Sequence, residues 1–363
     1  MKSVGKILLV DDNPQNLGVL TAVLKAEQHT ILVATDGKRA IEVAKKAKPD
    51  MILLDIMMPG MDGIEVCNII KAIPDLKEIP IIFITALSDT DSITNAFASG
   101  GVDYVVKPIR AEEVLARVRA QMQLYFMRKQ LEAQIEIKSQ EIMDTKTIAI
   151  KAVANLAETR DPETGAHLQR VQLYIRELAR ELRKANPSYN DLITDNYIQD
   201  LYDSSPLHDI GKVGIPDKIL LKPGKLTEQE FEIMKTHAQI GYFSLRRAKI
   251  PGREDSFLNV GADIAYAHHE KWDGSGYPRK IKGAEIPLAG RLMAFVDVYD
   301  ALTSQRVYKK AFSHQKSKGI MLDEMRGHFD PEIITVFLSI EEWFKEVAEK
   351  YRDDEDWEVS SLI

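Results

Sequence analysis

Five of the eight histidines in this 363-residue chain fall in short stretches that also carry acids. The stretch "HHEKWDGSGYP", His268 to Pro278, sets two histidines and an acid ahead of a glycine-rich turn. A lone histidine reads most simply as a half-buried, hydrogen-bonded residue. A pair is different, because adjacent side chains seldom serve one packing surface. "RDPETGAHLQR" places Glu163 and His167 four apart, on one face of a helix with Asp161 as its N-cap and Pro162 at its first position. "SSPLHDIGKVGIPD" makes His208 and Asp209 neighbours, with Lys212 one turn beyond the histidine. "LTEQEFEIMKTHAQIG" opens with a capping box, Thr227 to Glu230, and carries His237 inside the predicted helix. "GRLMAFVDVYDAL" adds Asp297. His29, His314 and His328 stand outside these stretches and read as structural or surface residues.

Adjacent helical side chains diverge by about 100°. His268 and His269 are therefore expected to serve different members of a metal cluster, with Asp209 as bridge, since a carboxylate has two oxygens and a histidine one available nitrogen. Nitrogen and oxygen donors without sulfur suit iron, manganese, nickel or zinc better than calcium or magnesium. Two such ions about 3.5–4 Å apart can turn a bridging water into hydroxide and stabilise in-line displacement at phosphorus. Glu163 and His167 add a carboxylate and an imidazole that a third ion would use; the plainer alternative is an acid favouring its helix start and an ordinary histidine donor. The glycines of "WDGSGYP" let backbone approach a ligand, and Tyr277 offers a ring and a hydroxyl.

A second constellation lies in the first 120 residues. "KILLV", "MILLD", "IPIIFITAL" and "VDYVVKP" are short apolar runs of the kind buried on both faces, with helical periodicity between them. This order predicts a doubly wound parallel sheet, whose site lies beyond the carboxyl ends of the strands. Asp11, Asp12, Asp55, Thr85 and Lys107 all fall there. Three converging carboxylates repel unless a cation joins them, and hard oxygen ligands with room for water suit Mg²⁺. The lysine can pair with an added anion, and the threonine hydroxyl can hydrogen-bond to it.

Between the two, from about Glu112 to Glu158, there is no proline or glycine. Leu124, Leu131, Ile135, Ile142, Ala149 and Leu156 recur at intervals of four and seven, consistent with one long helix bearing a seam. Arg128, Lys138 and Thr145 interrupt it, so a single amphipathic helix remains open beside a parallel dimeric one. Beyond Glu158 the pattern is wholly helical, down to the acidic "YRDDEDWEVSSLI".

Composition sets the bounds. Hydrophobic content of 45% and charged content of 28% are those of a folded chain, with length enough for two domains. A net charge of −7 argues against a large nucleic-acid surface, and no helix-turn-helix follows the sheet domain. Cys67 is the only cysteine, which excludes an internal disulfide and a thiolate cluster. No run is long enough to span a bilayer, and the apolar start is too short for a signal peptide. The expectation is a cytoplasmic protein that binds neither DNA nor membrane.

"LLVDD", "LLDIMMPGMDG", "FITA" and "DYVVKP" together resemble the receiver domain of bacterial response regulators, a flavodoxin-like fold, over residues 1–122. The resemblance implies that Asp55 accepts a phosphoryl group from a cognate sensor histidine kinase. It further implies that Asp12 and Asp55 hold Mg²⁺ with the Met57 carbonyl and Asp11 assisting, that Lys107 pairs with the phosphate, and that Thr85 and Tyr104 relay its presence. After a helical linker, 123–147, residues 148–345 resemble the HD-GYP branch of the HD-domain phosphohydrolases, an all-α bundle. "HDIGKVGIPD", "KPGKLT", "HHEKWDGSGYP", "IPLAGR", "DVYDALTSQRVYKKAF" and "HFDP" carry that likeness. It implies hydrolysis of cyclic di-GMP to the linear dinucleotide and GMP. Glu163, His167, His208, Asp209, His237, His268, His269 and Asp297 would be ligands to two or three divalent transition metals, iron or manganese first. Lys212 would assist with Asp209 at the scissile phosphate, and Tyr277, Arg306 and Lys309 would contact the substrate. Residues 346–363 read as an acidic tail. A non-catalytic cyclic dinucleotide sensor is the competing class, and it has no need of eight metal ligands. A homodimer through the linker completes the expectation.

Overall fold

The computed structural model describes residues 4–86, 90–158, 165–248, 257–305 and 311–352. Two compact units divide the chain, Met1–Glu141 and Ile142–Ile363. In the first, β1 Lys6–Val10, β2 Thr30–Ala34, β3 Met51–Asp55, β4 Ile81–Thr85 and β5 Asp103–Val106 alternate with α1 Pro14–Ala26, α2 Gly37–Ala47, α3 Gly63–Ala72 and α4 Thr90–Ala98, and α5 Ala111–Glu158 follows. The sheet is parallel, in the order β2-β1-β3-β4-β5.

Every residue of β3 and β4 is buried, the outcome expected of continuous apolar runs covered on both faces. Alternation along the strands divides the core. Leu8, Val10, Ile52, Leu54 and Phe83 pack with Ala40, Ala44, Val66 and Ile70 of α2 and α3. Ile7, Leu9, Leu53, Ile82 and Ile84 pack on the other face with Leu17, Leu20 and Leu24 of α1 and Val114, Val118 and Met122 of α5. Each such aliphatic side chain contributes about 1.5–3 kcal/mol when fully buried. The register pairs Val10 with Leu54, Asp55 with Ile84, and Thr85 with Val106, so the polar strand ends emerge together on one edge.

The second unit is helical, with no strand among the described residues. It contains α6 Gly165–Ala185, α7 Asp195–Ser204, α8 Asp217–Leu220, α9 Glu228–Lys235, α10 His237–Arg247, α11 Phe257–Ala267, α12 Leu288–Thr303, α13 His314–Gly319, α14 Pro331–Ser339 and α15 Glu341–Lys350. Its main core joins Tyr174 and Leu178 of α6 to Phe295 and Tyr299 of α12, Phe337 of α14 and Phe344 of α15. The Tyr174 and Phe344 rings stack 4.6 Å apart.

Residues 123–147 lie within the continuous helix α5, and the division between the units falls inside it. Tyr125 is buried and Arg128 pairs with Glu78 at 2.7 Å in the first unit, whereas Lys146 pairs with Asp203 at 2.6 Å in the second. The presumed tail 346–363 begins inside α15, where Val347 packs into the core; residues from 353 onward lie outside the described set. The predicted helix around His237 divides at Thr236, whose hydroxyl donates to the Ile233 carbonyl. Its capping box is present: the Glu230 N–H donates to Thr227 Oγ1 at 3.3 Å, and the Thr227 N–H to Glu230 Oε2 at 2.7 Å. No helix among the described residues is long and apolar enough to cross a membrane.

Candidate metal centres

Oxygens of Asp11, Asp12 and Asp55 lie within 4.8 Å of one another at the carboxyl edge of the sheet. Lys107 Nζ reaches Asp55 Oδ2 at 2.7 Å and Asp11 Oδ2 at 3.2 Å. Burial pushes the Asp55 carboxyl up from its ordinary range, Lys107 pulls it down, and the charge of Asp11 adds to the upward push. Three carboxylates against one ammonium leave a charge near −2, which a hard divalent cation would neutralise, and the all-oxygen donor set fits Mg²⁺. Asp11 is held in place by Asn16 Nδ2, at 3.0 and 2.9 Å from its two oxygens, and by the Asn13 N–H at 2.8 Å. Sequence reasoning missed Asn16, which lies one helical turn past the acids.

Gly63, at the start of α3, permits the Asp55 backbone to come close: a Cβ there would lie 2.2 Å from the Asp55 carbonyl oxygen. Thr85 is buried at the end of β4, and Met57 is exposed just beyond Asp55, to which its N–H donates at 3.3 Å. Tyr104 sits on β5 with its ring edge-on to Phe97 at 6.0 Å and Arg117 5.5 Å from its centroid.

In the helical unit, Asp209, His237, His268 and His269 offer donor atoms within 4.8 Å of one another, and His167, His208 and Asp297 form a second such group. The consecutive residues His208 and Asp209 belong one to each group, and His208 Nε2 lies 3.4 Å from Asp209 Oδ2. His237 Nε2 and His268 Nε2 approach Asp209 Oδ1 at 3.3 and 3.5 Å. Both nitrogens are buried without a hydrogen-bond partner among the described residues, a costly state unless a cation is their partner. The geometry thus fits transition ions.

Main chain aims these rings. His208 Nδ1 lies 3.0 Å from the Ser205 carbonyl, His237 Nδ1 2.7 Å from that of Met234, and His268 Nδ1 3.0 Å from that of Ile264. His167 Nδ1 instead meets a carboxylate, Asp300 Oδ2, at 2.7 Å. Gly211 admits α10 closely, since a Cβ there would lie 1.9 Å from the His237 carbonyl oxygen.

Burial lowers the affinity of His268 and His269 for a proton, which keeps imidazoles neutral and ready to bind metal. Burial alone would raise the Asp209 carboxyl, but Lys212, His208 and His237 hold it well below the usual range. Lys212 Nζ lies 2.7 Å from Asp209 Oδ2. Tyr277 stacks on His269, ring centroids 4.6 Å apart, and its N–H donates to the His269 carbonyl at 3.2 Å.

The expectation that His268 and His269 serve different ions is overturned. α11 ends at Ala267, so the pair lies in the turn beyond it, with rings only 3.9 Å apart and both in one donor group. Helical divergence does not apply outside a helix. Glu163, Arg306 and Lys309 lie outside the described residues, as do Asp161 and Pro162. Asp300 is the residue that sequence reasoning passed over. Its signal was a matched spacing: Asp297 and Asp300 stand three apart on α12, as do His167 and Arg170 on α6.

Comparison with known proteins agrees with both halves of this picture. Residues 151–333 match the HD domain family, and residues 7–119 the response regulator receiver domain. A probable cyclic di-GMP phosphodiesterase of Vibrio cholerae is 44% identical over 96% of this chain and 80% of its own length. A cyclic di-GMP phosphodiesterase of Thermotoga maritima is 34% identical over 98% of this chain and 94% of its own length. The cyclic di-GMP phosphodiesterase response regulator RpfG of Xanthomonas campestris is 34% identical over 92% and 86%.

Proposed function

Because the chain belongs to the HD-domain family of metal-dependent hydrolases and carries a response-regulator receiver ahead of that domain, we propose that it is a cyclic di-GMP phosphodiesterase governed by phosphorylation of Asp55. The observation that carries this reading is the adjoining pair of donor groups, joined at His208–Asp209, with Lys212 2.7 Å from the Asp209 carboxylate. Asp209, His237, His268 and His269 would hold one ion, and His167, His208 and Asp297 another; Glu163 would add to the His167 side and complete a third. Iron or manganese is proposed for this mixed set of imidazoles and carboxylates without sulfur. Bound there, such ions supply Lewis acidity toward a phosphodiester and lower the pKa of an attacking water.

The chain's own side chains do the rest. Asp209 would bridge the ions, and Lys212, 2.7 Å from it, would assist by adding positive charge beside the scissile phosphate. Tyr277, fixed against His269, offers an aromatic face and a hydroxyl to the substrate. Arg306 and Lys309 are proposed to pair with its phosphates. Cleavage of one of the two phosphodiester linkages gives the linear dinucleotide, and cleavage of the second gives GMP.

In the receiver, Asp55 would take the phosphoryl group from a sensor kinase with Mg²⁺ between Asp12, Asp55 and the Met57 carbonyl, and Lys107 would shift from Asp55 to the new phosphate. Thr85 and Tyr104 would respond. The exposed apolar residues of α5, among them Leu131, Ile135 and Ile142, support a dimer formed through this helix.

Purified without air and loaded with Fe²⁺ or Mn²⁺, the protein should convert cyclic di-GMP to linear product and GMP, with the mixed guanine–adenine analogue as a competitor. Tight binding of either dinucleotide without any product would overturn the reading in favour of a sensor.

A further inference from the structure

We infer that Asp300, clamped by Arg170, is a positioning residue that sets the tautomer and orientation of His167 and thereby retains the ion at the His167–His208–Asp297 group. The inference rests on the reading of those three residues as metal ligands.

His208, His237 and His268 are each aimed by a carbonyl three or four residues back in the same stretch of chain. Once those turns form, the rings are set. His167 is aimed by a side chain 133 residues away, on a different helix. Asp300 is 1% exposed, and both its oxygens are engaged. Arg170 Nε donates to Oδ1 at 2.7 Å and Nη2 to Oδ2 at 2.9 Å, while the Ser304 hydroxyl donates to Oδ2 at 3.1 Å. Arg170, 2% exposed, also donates to Ser304 Oγ at 2.6 Å and to the Tyr351 carbonyl at 2.7 Å.

The tautomer follows from this arrangement. A carboxylate held by a guanidinium accepts only, so His167 must donate from Nδ1, which leaves the lone pair on Nε2 for an ion. The charge of Asp300 makes that imidazole a stronger donor. Arg170 and Ser304 occupy the Asp300 oxygens, so the carboxylate orients a ligand rather than becoming one. A buried ion pair of this kind contributes little net stability against an apolar replacement, and stability alone therefore does not account for its place beside a ligand histidine.

The test uses the full-length chain stripped of metal, titrated with Mn²⁺ against a competing chelator, with ions located by anomalous scattering. In Asp300→Asn, affinity at the His167 group should fall about 10–100-fold, while the ion at Asp209, His237, His268 and His269 is bound as in the parent. Should the single variant fail to fold because Arg170 is left uncompensated, Asp300→Asn with Arg170→Gln removes that charge and carries the same expectation. The inference is overturned if a folded variant binds both ions with parental affinity, or loses both equally. A parent that takes up no transition ion would instead bring down the functional reading, and this inference with it.

Discussion

The receiver pocket and the helical centre both gather carboxylates, but they differ in what completes them. At the sheet edge, oxygens alone converge, and Lys107 already lies 2.7 Å from Asp55 and 3.2 Å from Asp11. That lysine offsets part of the repulsion, and Asp12 is exposed to water, so the pocket tolerates vacancy between visits of a hard cation and a phosphoryl group. In the helical unit, most donors are buried imidazoles whose other nitrogen is fixed by main chain or by Asp300. Rings so desolvated and so constrained are costly to leave unfilled. The contrast is between a pocket built for transient occupancy and one built to retain its ions.

The largest effects should come from breaking each pocket at its centre. Asp209→Ala removes the carboxylate of one donor group, next in sequence to His208 of the other, and should lower dinucleotide turnover by ~10³-fold or more, with loss of bound transition metal. Asp55→Asn should abolish labelling by a small phosphodonor with Mg²⁺, yet leave transition-metal content unchanged. Product chromatography, phosphoryl labelling and elemental analysis on the two variants give a crossed pattern. Loss of both properties in either variant would deny that the sites are separate.

A smaller effect is expected at the edge of the helical centre. Glu163→Ala should lower bound metal by one ion per chain and turnover by ~10-fold, leaving the remaining ions in place. Unchanged occupancy would show that Glu163 only favours a helix start and that the cluster has two members.

Much of this contrast was legible in the sequence, and the failures have physical causes. Continuous apolar runs such as Met51–Asp55 announced strands covered on both faces, and their polar ends located the acidic pocket without further information. The five histidines announced the second centre. Their fine geometry did not follow, because nothing in the local sequence marks the end of α11 at Ala267, and two residues treated as helical neighbours turned out to share a donor group. Asp300 was passed over because its partners, His167 and Arg170, lie more than 120 residues away in the chain. The long helix was legible as a helix. What meets its apolar residues was not, since Met127, Ile137 and Ile148 are as exposed as those in the seam.

The smallest expected effect concerns that helix. Ile135→Asp places a charge among the exposed apolar residues of α5 and should weaken self-association by about 10-fold, or ~1.4 kcal/mol, as read by light scattering across a dilution series. An unchanged mass distribution would favour a helix that acts alone.

Diffraction from the parent protein at energies above and below the iron and manganese edges tests the central claim most directly. The account predicts anomalous peaks at both the Asp209–His237–His268–His269 and His167–His208–Asp297 groups. Empty histidine groups in protein prepared without air and supplied with both metals would contradict it.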